Sequence, residues 1–219
     1  MLRASIFDVD GTLAETEELH RAAFNAAFAD AGLDWVWDVP LYGTLLRTTG
    51  GKERLRAFAQ MRGPALGEEM AARLHAAKNA HYAASMRGGA CALRPGVEQV
   101  VRAAGVRGFR LAIATTTSRS NVDVLLEATH LAGLFEVVVA GDEVARKKPA
   151  PDVYVRVLEL LGLPAEDCLA FEDSRNGLLA ARGAGLATVV TPGFYTTDED
   201  FEGAREVLTD FSGFALSAF

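Results

Sequence analysis

Short apolar runs recur along the chain, and none alternates strictly with polar residues. Leu2 to Phe7 comes first and leads into Asp8-Val9-Asp10-Gly11-Thr12. Phe109 to Thr115, Phe135 to Ala140, Cys168 to Phe171 and Ala187 to Val190 follow. Each is rich in β-branched or large apolar residues, the pattern of strands buried on both faces. Segments with helical spacing separate the later runs. Pro95 to Ala104 opens on proline and is followed by Gly105, and Asn121 to Ala128 sits between the second and third runs. Pro151 to Leu161 places Val153, Val157, Leu158 and Leu161 on one face and stops at Gly162. Arg175 to Ala184 follows the fourth run. This alternation predicts an α/β protein with a doubly wound parallel sheet.

The stretch from Glu15 to about Gly88 breaks the rhythm. It holds no buried-strand pattern, and Glu17–Ala31 and Glu68–Met86 have helical spacing. We read it as an all-helical insertion after the first strand, so that residues 1–14 and 90–219 form the core and 15–89 the insertion. Hinges are expected near Ala14–Thr16 and Met86–Leu93, where Gly88-Gly89 loosens the backbone.

Composition narrows the class. The 219 residues are 50% hydrophobic and 23% charged, enough for a sizeable core without disulfides. Cys91 and Cys168 are the two cysteines, far apart, which argues against a disulfide scaffold or zinc site and fits a reducing, cytoplasmic setting. Cys168 is expected in the core and Cys91 as an inert thiol. No apolar run approaches membrane-span length, and Asp8 comes too early for a secretory signal. A net charge of −7 argues against nucleic-acid binding. An anionic substrate would therefore need positive charge supplied locally.

The candidate chemistry gathers at one sheet edge. In open α/β sheets ligands sit beyond the carboxyl ends of the strands. Asp8 and Asp10 end the first run, Thr115 and Thr116 the second, and Glu172 and Asp173 the fourth, while Lys148 follows the third. Four carboxylates and one lysine should converge there, and such a cluster calls for a neutralising cation. Mg²⁺ suits hard oxygen ligands shared with phosphate. A carboxylate can attack phosphorus, and a second, two residues on, can serve as general acid and base. Gly11 permits a tight turn, Thr12 and Thr115 offer hydroxyls, and Lys148 offers charge.

Asp8-Val-Asp10-Gly11-Thr12, Thr115, Lys148-Pro-Ala-Pro-Asp152 and Glu172-Asp173-Ser174 resemble the four ordered motifs of the haloacid-dehalogenase-like phosphatases. The resemblance implies a Rossmann-like core with a helical cap inserted after the first strand. It makes Asp8 the nucleophile and Asp10 the general acid/base, with Asp10 also binding Mg²⁺ through its carbonyl. It makes Asp173 a metal ligand supported by Glu172, and has Thr115 and Lys148 hold the phosphoryl group.

Within that superfamily, Thr16-Glu17-Glu18-Leu19-His20, Asp34 to Asp38, Thr48-Thr49-Gly50-Gly51-Lys52-Glu53-Arg54 and Pro192 to Thr196 are similar to the CbbY-type branch. That branch implies dephosphorylation of xylulose 1,5-bisphosphate, alongside the Calvin cycle. Glu17 and His20 share a helix face. Gly50, Gly51, Lys52, Glu53 and Arg54 form a glycine turn running into a basic helix start, suited to an anion. Together with Thr116, Thr117 and Ser118 they are the candidate phosphate and substrate contacts. Thr116, Thr117 and Ser118 could equally cap the next helix. The partner is a small sugar phosphate, and the chain is expected to be a monomer.

β-Phosphoglucomutase, phosphoglycolate phosphatase and a non-catalytic sugar-phosphate sensor are the rival readings. Trp35 and Trp37 are expected to pack inside the cap. Lys147 is expected on the surface, and His75, His81 and His130 are read as structural or exposed. Arg175 is a possible further substrate contact.

Overall fold

The computed structural model describes residues 2–63 and 65–214. Six parallel strands form one sheet: β1 (Ala4–Phe7), β2 (Arg110–Ala114), β3 (Val137–Val139), β4 (Cys168–Glu172), β5 (Ala187–Val190) and β6 (Glu206–Val207). Their order is β3-β2-β1-β4-β5-β6, so the sheet is doubly wound and Rossmann-like, as expected. The order reverses between β1 and β4. Ala4 to Phe7 register against Arg110 to Ile113 on one side and against Cys168 to Phe171 on the other. That register brings the ends of β1 and β4 level, which sets Asp8 beside Glu172 and Asp173.

Side chains alternate between the faces. Phe7, Ile113, Leu169, Phe171 and Val189 pack with α5 (Val97–Val106) and α6 (Arg119–Ala128). Phe7 stacks on Phe171 at 4.5 Å between ring centroids. The other face carries the smaller Ala4, Ile6, Ala112, Ala114 and Ala170. They accept Val153, Tyr154, Val157 and Leu161 of α7 (Asp152–Leu161) and Ala180 and Ala181 of α8 (Arg175–Gly183).

Between β1 and α5 lie four helices: α1 (Glu17–Asp30), α2 (Val39–Leu45), α3 (Gly51–Arg62) and α4 (Glu68–Arg87). They enclose an aromatic core of their own, with Phe24, Phe28, Trp37, Tyr42 and Phe58. Trp35 and Trp37 pack there, edge-on to Phe58. The chain leaves and re-enters the sheet domain side by side. Ala14 bridges to Leu93, and the Arg94 N–H donates to the Leu13 carbonyl at 2.9 Å.

Three details differ from, or add to, what the apolar pattern predicts. β6 has only two residues, both exposed, and it pairs at the sheet edge, so no apolar run announced it. The third run yields a strand of only Val137–Val139, shorter than Phe135 to Ala140. Leu158 packs on the cluster around α7 as expected but stays partly buried, and Tyr154, not singled out, is fully buried beside it. Cys168 is buried as expected, and Cys91 is half-buried.

Candidate active site

A cavity of about 360 Å³ lies between the strand ends and the four inserted helices. Asp8, Asp10 and Asp173 line its floor, with Thr115, Thr116, Thr117, Ser118 and Lys148. Glu17, His20, Gly50, Gly51, Lys52, Glu53 and Arg54 line the opposite wall. The residues singled out from the sequence therefore meet at one place, apart from Arg175, which lies outside it, and Glu172 and Thr12, which are fully buried.

Lys148 organises the floor. Its Nζ lies 2.6 Å from Asp8 Oδ1, 2.6 Å from Glu172 Oε1 and 2.9 Å from the Ala114 carbonyl. Glu172 Oε1 also accepts from the Tyr154 hydroxyl at 2.5 Å, and Glu172 Oε2 accepts from the Asp173 N–H. Asp8, Glu172 and Asp173 bring carboxylate oxygens within 4.8 Å of one another. Burial pushes the Asp8 carboxyl up to about 8, against the pull of Lys148 and with the push of Glu172. Burial, then Asp8 and Glu172, push Asp173 well above the carboxylate range. Burial works against the charge on Lys148, but Asp8 and Glu172 hold it protonated. One ammonium thus faces three carboxylates. The donor set is all oxygen and short of positive charge, which fits a hard divalent cation.

Asp10 departs from the expected convergence. Its carboxylate turns toward the helical wall, where Oδ1 accepts from the Thr16 hydroxyl at 2.5 Å and meets His20 Nε2 at 3.0 Å. Burial alone would raise this carboxyl, but the charge and hydrogen bond of His20, with the Thr16 hydrogen bond, bring it down to about 2. His20 stacks on Tyr82 at 4.2 Å. Gly11 has φ +82, and a Cβ there would collide with Asp173 Oδ2. The glycine is required by Asp173 as much as by the turn. Thr12 corrects an expectation: its hydroxyl is buried without a partner among the described residues and does not reach the cavity.

Thr115 accepts from the Thr117 N–H through Oγ1 at 3.2 Å. Ser118 occupies the N-cap position of α6 without capping it, and its Oγ instead accepts from Asn79 of α4 at 3.3 Å. Asn121 Nδ2 donates to Asn79 Oδ1 at 3.1 Å, so α4 and the 117–121 segment are tied together.

On the helical wall, Tyr42 donates to Glu17 Oε2 at 2.7 Å and accepts from Arg54 Nη1 at 3.0 Å. Gly50 has φ +91, and a Cβ there would collide with Glu53. Gly51 packs against His75, and burial beside Lys78 and Lys52 brings His75 down to about 4. His75 therefore lines the cavity as a neutral ring, which corrects its reading as merely structural or exposed. Lys147 also lines the cavity and donates to the Gly141 carbonyl, so it is not a plain surface lysine. Arg175 points away, to Asp200 Oδ2 at 2.7 Å. His81 pairs with Asp30 on the outer surface at 2.6 Å.

Lys78 was missed. It is 4% exposed, lines the cavity, and lies 5.2 Å from the ring centroids of both Phe24 and Tyr82. Its polar partner is the Asn79 side chain at 3.4 Å, not a carboxylate. Burial lowers its ammonium to about 8, although Asp10 and Glu17 pull the other way. A signal existed in the sequence: Ala71, Leu74, Lys78, Tyr82 and Met86 form the buried stripe of α4, and a lysine on such a stripe needs a reason. Tyr42, Thr16 and Tyr154 carried no comparable mark.

Comparisons with known proteins agree with this geometry. The family described as haloacid dehalogenase-like hydrolase matches residues 2–185. Protein CbbY of Rhodobacter capsulatus is 54% identical over 99% of this chain and 97% of its own length. The plasmid-borne protein CbbY of Cupriavidus necator is 53% identical over 94% of this chain and 85% of its own. The crystal structure of CbbY from Rhodobacter sphaeroides in complex with phosphate superposes with a TM-score of 0.93 at 49% identity, covering 97% of this chain and 96% of that one. A mutant of the same protein, in complex with xylulose-(1,5)bisphosphate, superposes equally well. A β-phosphoglucomutase from Clostridium difficile shares the fold, with a TM-score of 0.84 at 19% identity. The chain belongs to the haloacid dehalogenase-like hydrolases, as a phosphatase of their CbbY-type branch.

Proposed function

We propose that the chain hydrolyses a sugar bisphosphate, xylulose 1,5-bisphosphate in the first instance, through a phosphoryl group carried on Asp8. The observation that carries this reading is the placing of a cationic centre on each side of one cavity, where Lys52 and Arg54 share the helical wall with Lys78. Lys148 stands beside Asp8 on the floor, and Lys78 lies on the helical wall with no carboxylate of its own. A monophosphate needs the first centre. A bisphosphate occupies both, and its second anion would give the Lys78 ammonium the partner it lacks. The complex of the Rhodobacter sphaeroides relative with xylulose-(1,5)bisphosphate supports the same substrate.

Asp8 attacks phosphorus, and the bond to the sugar oxygen breaks as the bond to Asp8 forms. The proton carried between Asp10 Oδ1 and His20 Nε2, 3.0 Å apart, passes through Asp10 to the departing oxygen. Asp10 is then a carboxylate again, held low by His20 and Thr16. In that form it takes a proton from the water that cleaves the acyl phosphate. Thr115, Thr116 and Lys148 hold the phosphoryl oxygens.

Mg²⁺ fits the oxygen-only donor set. Asp8 and Asp173 would hold it, together with the Asp10 carbonyl. Glu172, already engaged by Lys148, Tyr154 and Asp173, would support them. When bound, the ion supplies the positive charge that lets an anionic nucleophile meet an anionic phosphate.

Residues 15–89 act as a cap. Glu17, His20, Gly50, Gly51, Lys52, Glu53, Arg54 and Lys78 meet the sugar and its second phosphate there, and Thr117 and Ser118 meet it from the core. Closure over the floor excludes bulk water from the acyl phosphate.

A phosphate-release panel tests the reading. Xylulose 1,5-bisphosphate, ribulose 1,5-bisphosphate, 2-phosphoglycolate and glucose 1-phosphate are compared at equal concentration, with and without EDTA. The expected result is highest kcat/KM for xylulose 1,5-bisphosphate and loss of activity in EDTA. Equal rates across the panel contradict the substrate, and full activity in EDTA contradicts the metal. Glucose 6-phosphate formed from glucose 1-phosphate would make the chain a mutase.

A further inference from the structure

We propose that Arg94 is a positioning residue for phosphoryl transfer, its guanidinium fixing the Asp10-Gly11 turn against the segment that backs Asp173. The proposal rests on the phosphatase reading above. Arg94 stands just before α5, where the chain returns from the inserted helices, and it is 9% exposed. A buried guanidinium needs acceptors for its five N–H groups. Nη1 donates to the carbonyl of Gly11 and to the carbonyl of Thr191 at 2.6 Å. Nη2 donates to the carbonyls of Pro192 at 2.9 Å and Thr209 at 3.4 Å. Nε lies 3.4 Å from Glu15 Oε1, at the first hinge.

These acceptors come from separate parts of the chain, and two of the parts bear on Asp173. Gly11 is packed so tightly on Asp173 Oδ2 that it admits no side chain. The Thr191 N–H donates to the Glu172 carbonyl at 2.8 Å, and a Cβ on Gly193 would lie 3.3 Å from Asp173 Oδ2. Arg94 does not line the cavity, so it acts through backbone carbonyls rather than on substrate. The fork holds the turn that follows Asp10 and the strand exit behind Asp173 at one spacing. A lysine, with its single compact charge, cannot span Gly11, Thr191 and Pro192 together.

The test compares wild type with Arg94→Lys and Arg94→Ala in the full chain with Mg²⁺. Turnover of xylulose 1,5-bisphosphate and of 4-nitrophenyl phosphate is measured beside circular dichroism and thermal unfolding. Folded Arg94→Lys should lose about tenfold to a hundredfold in kcat on both esters, the scale of a reacting group displaced by an ångström or less. Its KM should stay within about twofold, because the groups that hold substrate are untouched. Millimolar guanidinium should restore part of the kcat of Arg94→Ala and leave wild type unchanged. A lowered Tm with kcat kept in the folded variant, a rise in KM alone, or failure of both variants to fold would each overturn the proposal. Wild type active on the aryl ester but not the bisphosphate would remove the substrate reading and leave the Arg94 comparison intact. Wild type inactive on both would remove the phosphatase reading and the proposal with it.

Discussion

Lys148 Nζ donates to Asp8 Oδ1 at 2.6 Å, although the two residues are 140 positions apart in the chain. Both are buried, and the same ammonium holds Glu172 at 2.6 Å. Removing one partner of a buried ion pair leaves the other uncompensated. Lys148→Met should therefore cost about 3 kcal/mol of stability, near the lower end of such losses because a carboxyl can take up a proton instead. Its kcat should fall by about a hundredfold or more, since a charge on the transferring phosphoryl group is lost as well. Urea unfolding and phosphate release check the two effects. A variant as stable as wild type, with turnover within threefold, would contradict the assigned role.

Lys78 gives the reaction a pH dependence with a definite sign. Its ammonium is lowered from the usual 10.5 to about 8 by burial. As pH rises through about 8 the free protein loses this charge, and kcat/KM for a bisphosphate should fall. Dividing the wild-type profile by that of Lys78→Met isolates the effect from the other groups that titrate. The ratio should be about 10- to 100-fold below pH 8 and approach unity well above it, the worth of one hydrogen bond to a charged group. A ratio independent of pH, or the same ratio for a monophosphate, would contradict the placing of the second phosphate at Lys78.

Gly11 and Gly133 separate backbone strain from collision. Both have positive φ, +82 and +79, but a Cβ at Gly133 meets nothing within 4 Å whereas one at Gly11 runs into Asp173. Gly133→Ala should lose about 1–3 kcal/mol of stability and keep its kcat. Gly11→Ala should lose at least as much stability and most of its kcat, because Asp173 must move. Thermal unfolding and turnover of the two variants decide the point. Equal turnover would mean that Asp173 tolerates displacement.

Much of this arrangement was legible in the sequence, and the reasons are physical. Buried parallel strands need apolar runs, so β1, β2, β4 and β5 announced themselves. Ligands gather at strand ends, so Asp8, Thr115, Lys148 and Asp173 could be brought together before any coordinates. β6 was silent because an exposed two-residue edge strand needs no apolar run. The direction of the Asp10 carboxylate was equally silent. Spacing places Asp10 at the strand end, but Thr16 and His20 turn its side chain toward the inserted helices. Lys78 was readable as a lysine on an apolar stripe, whereas Arg94 before Pro95 carries no local mark. Its acceptors lie up to 115 positions away, and only the folded chain brings them together.

The most direct test of the central claim is acid quenching during steady turnover of substrate labelled in the transferred phosphate, followed by mapping of the labelled peptide. The account predicts label on Asp8, released by hydroxylamine and absent from Asp8→Asn. Label on any other residue, or steady turnover with no covalent phosphate at all, would contradict it.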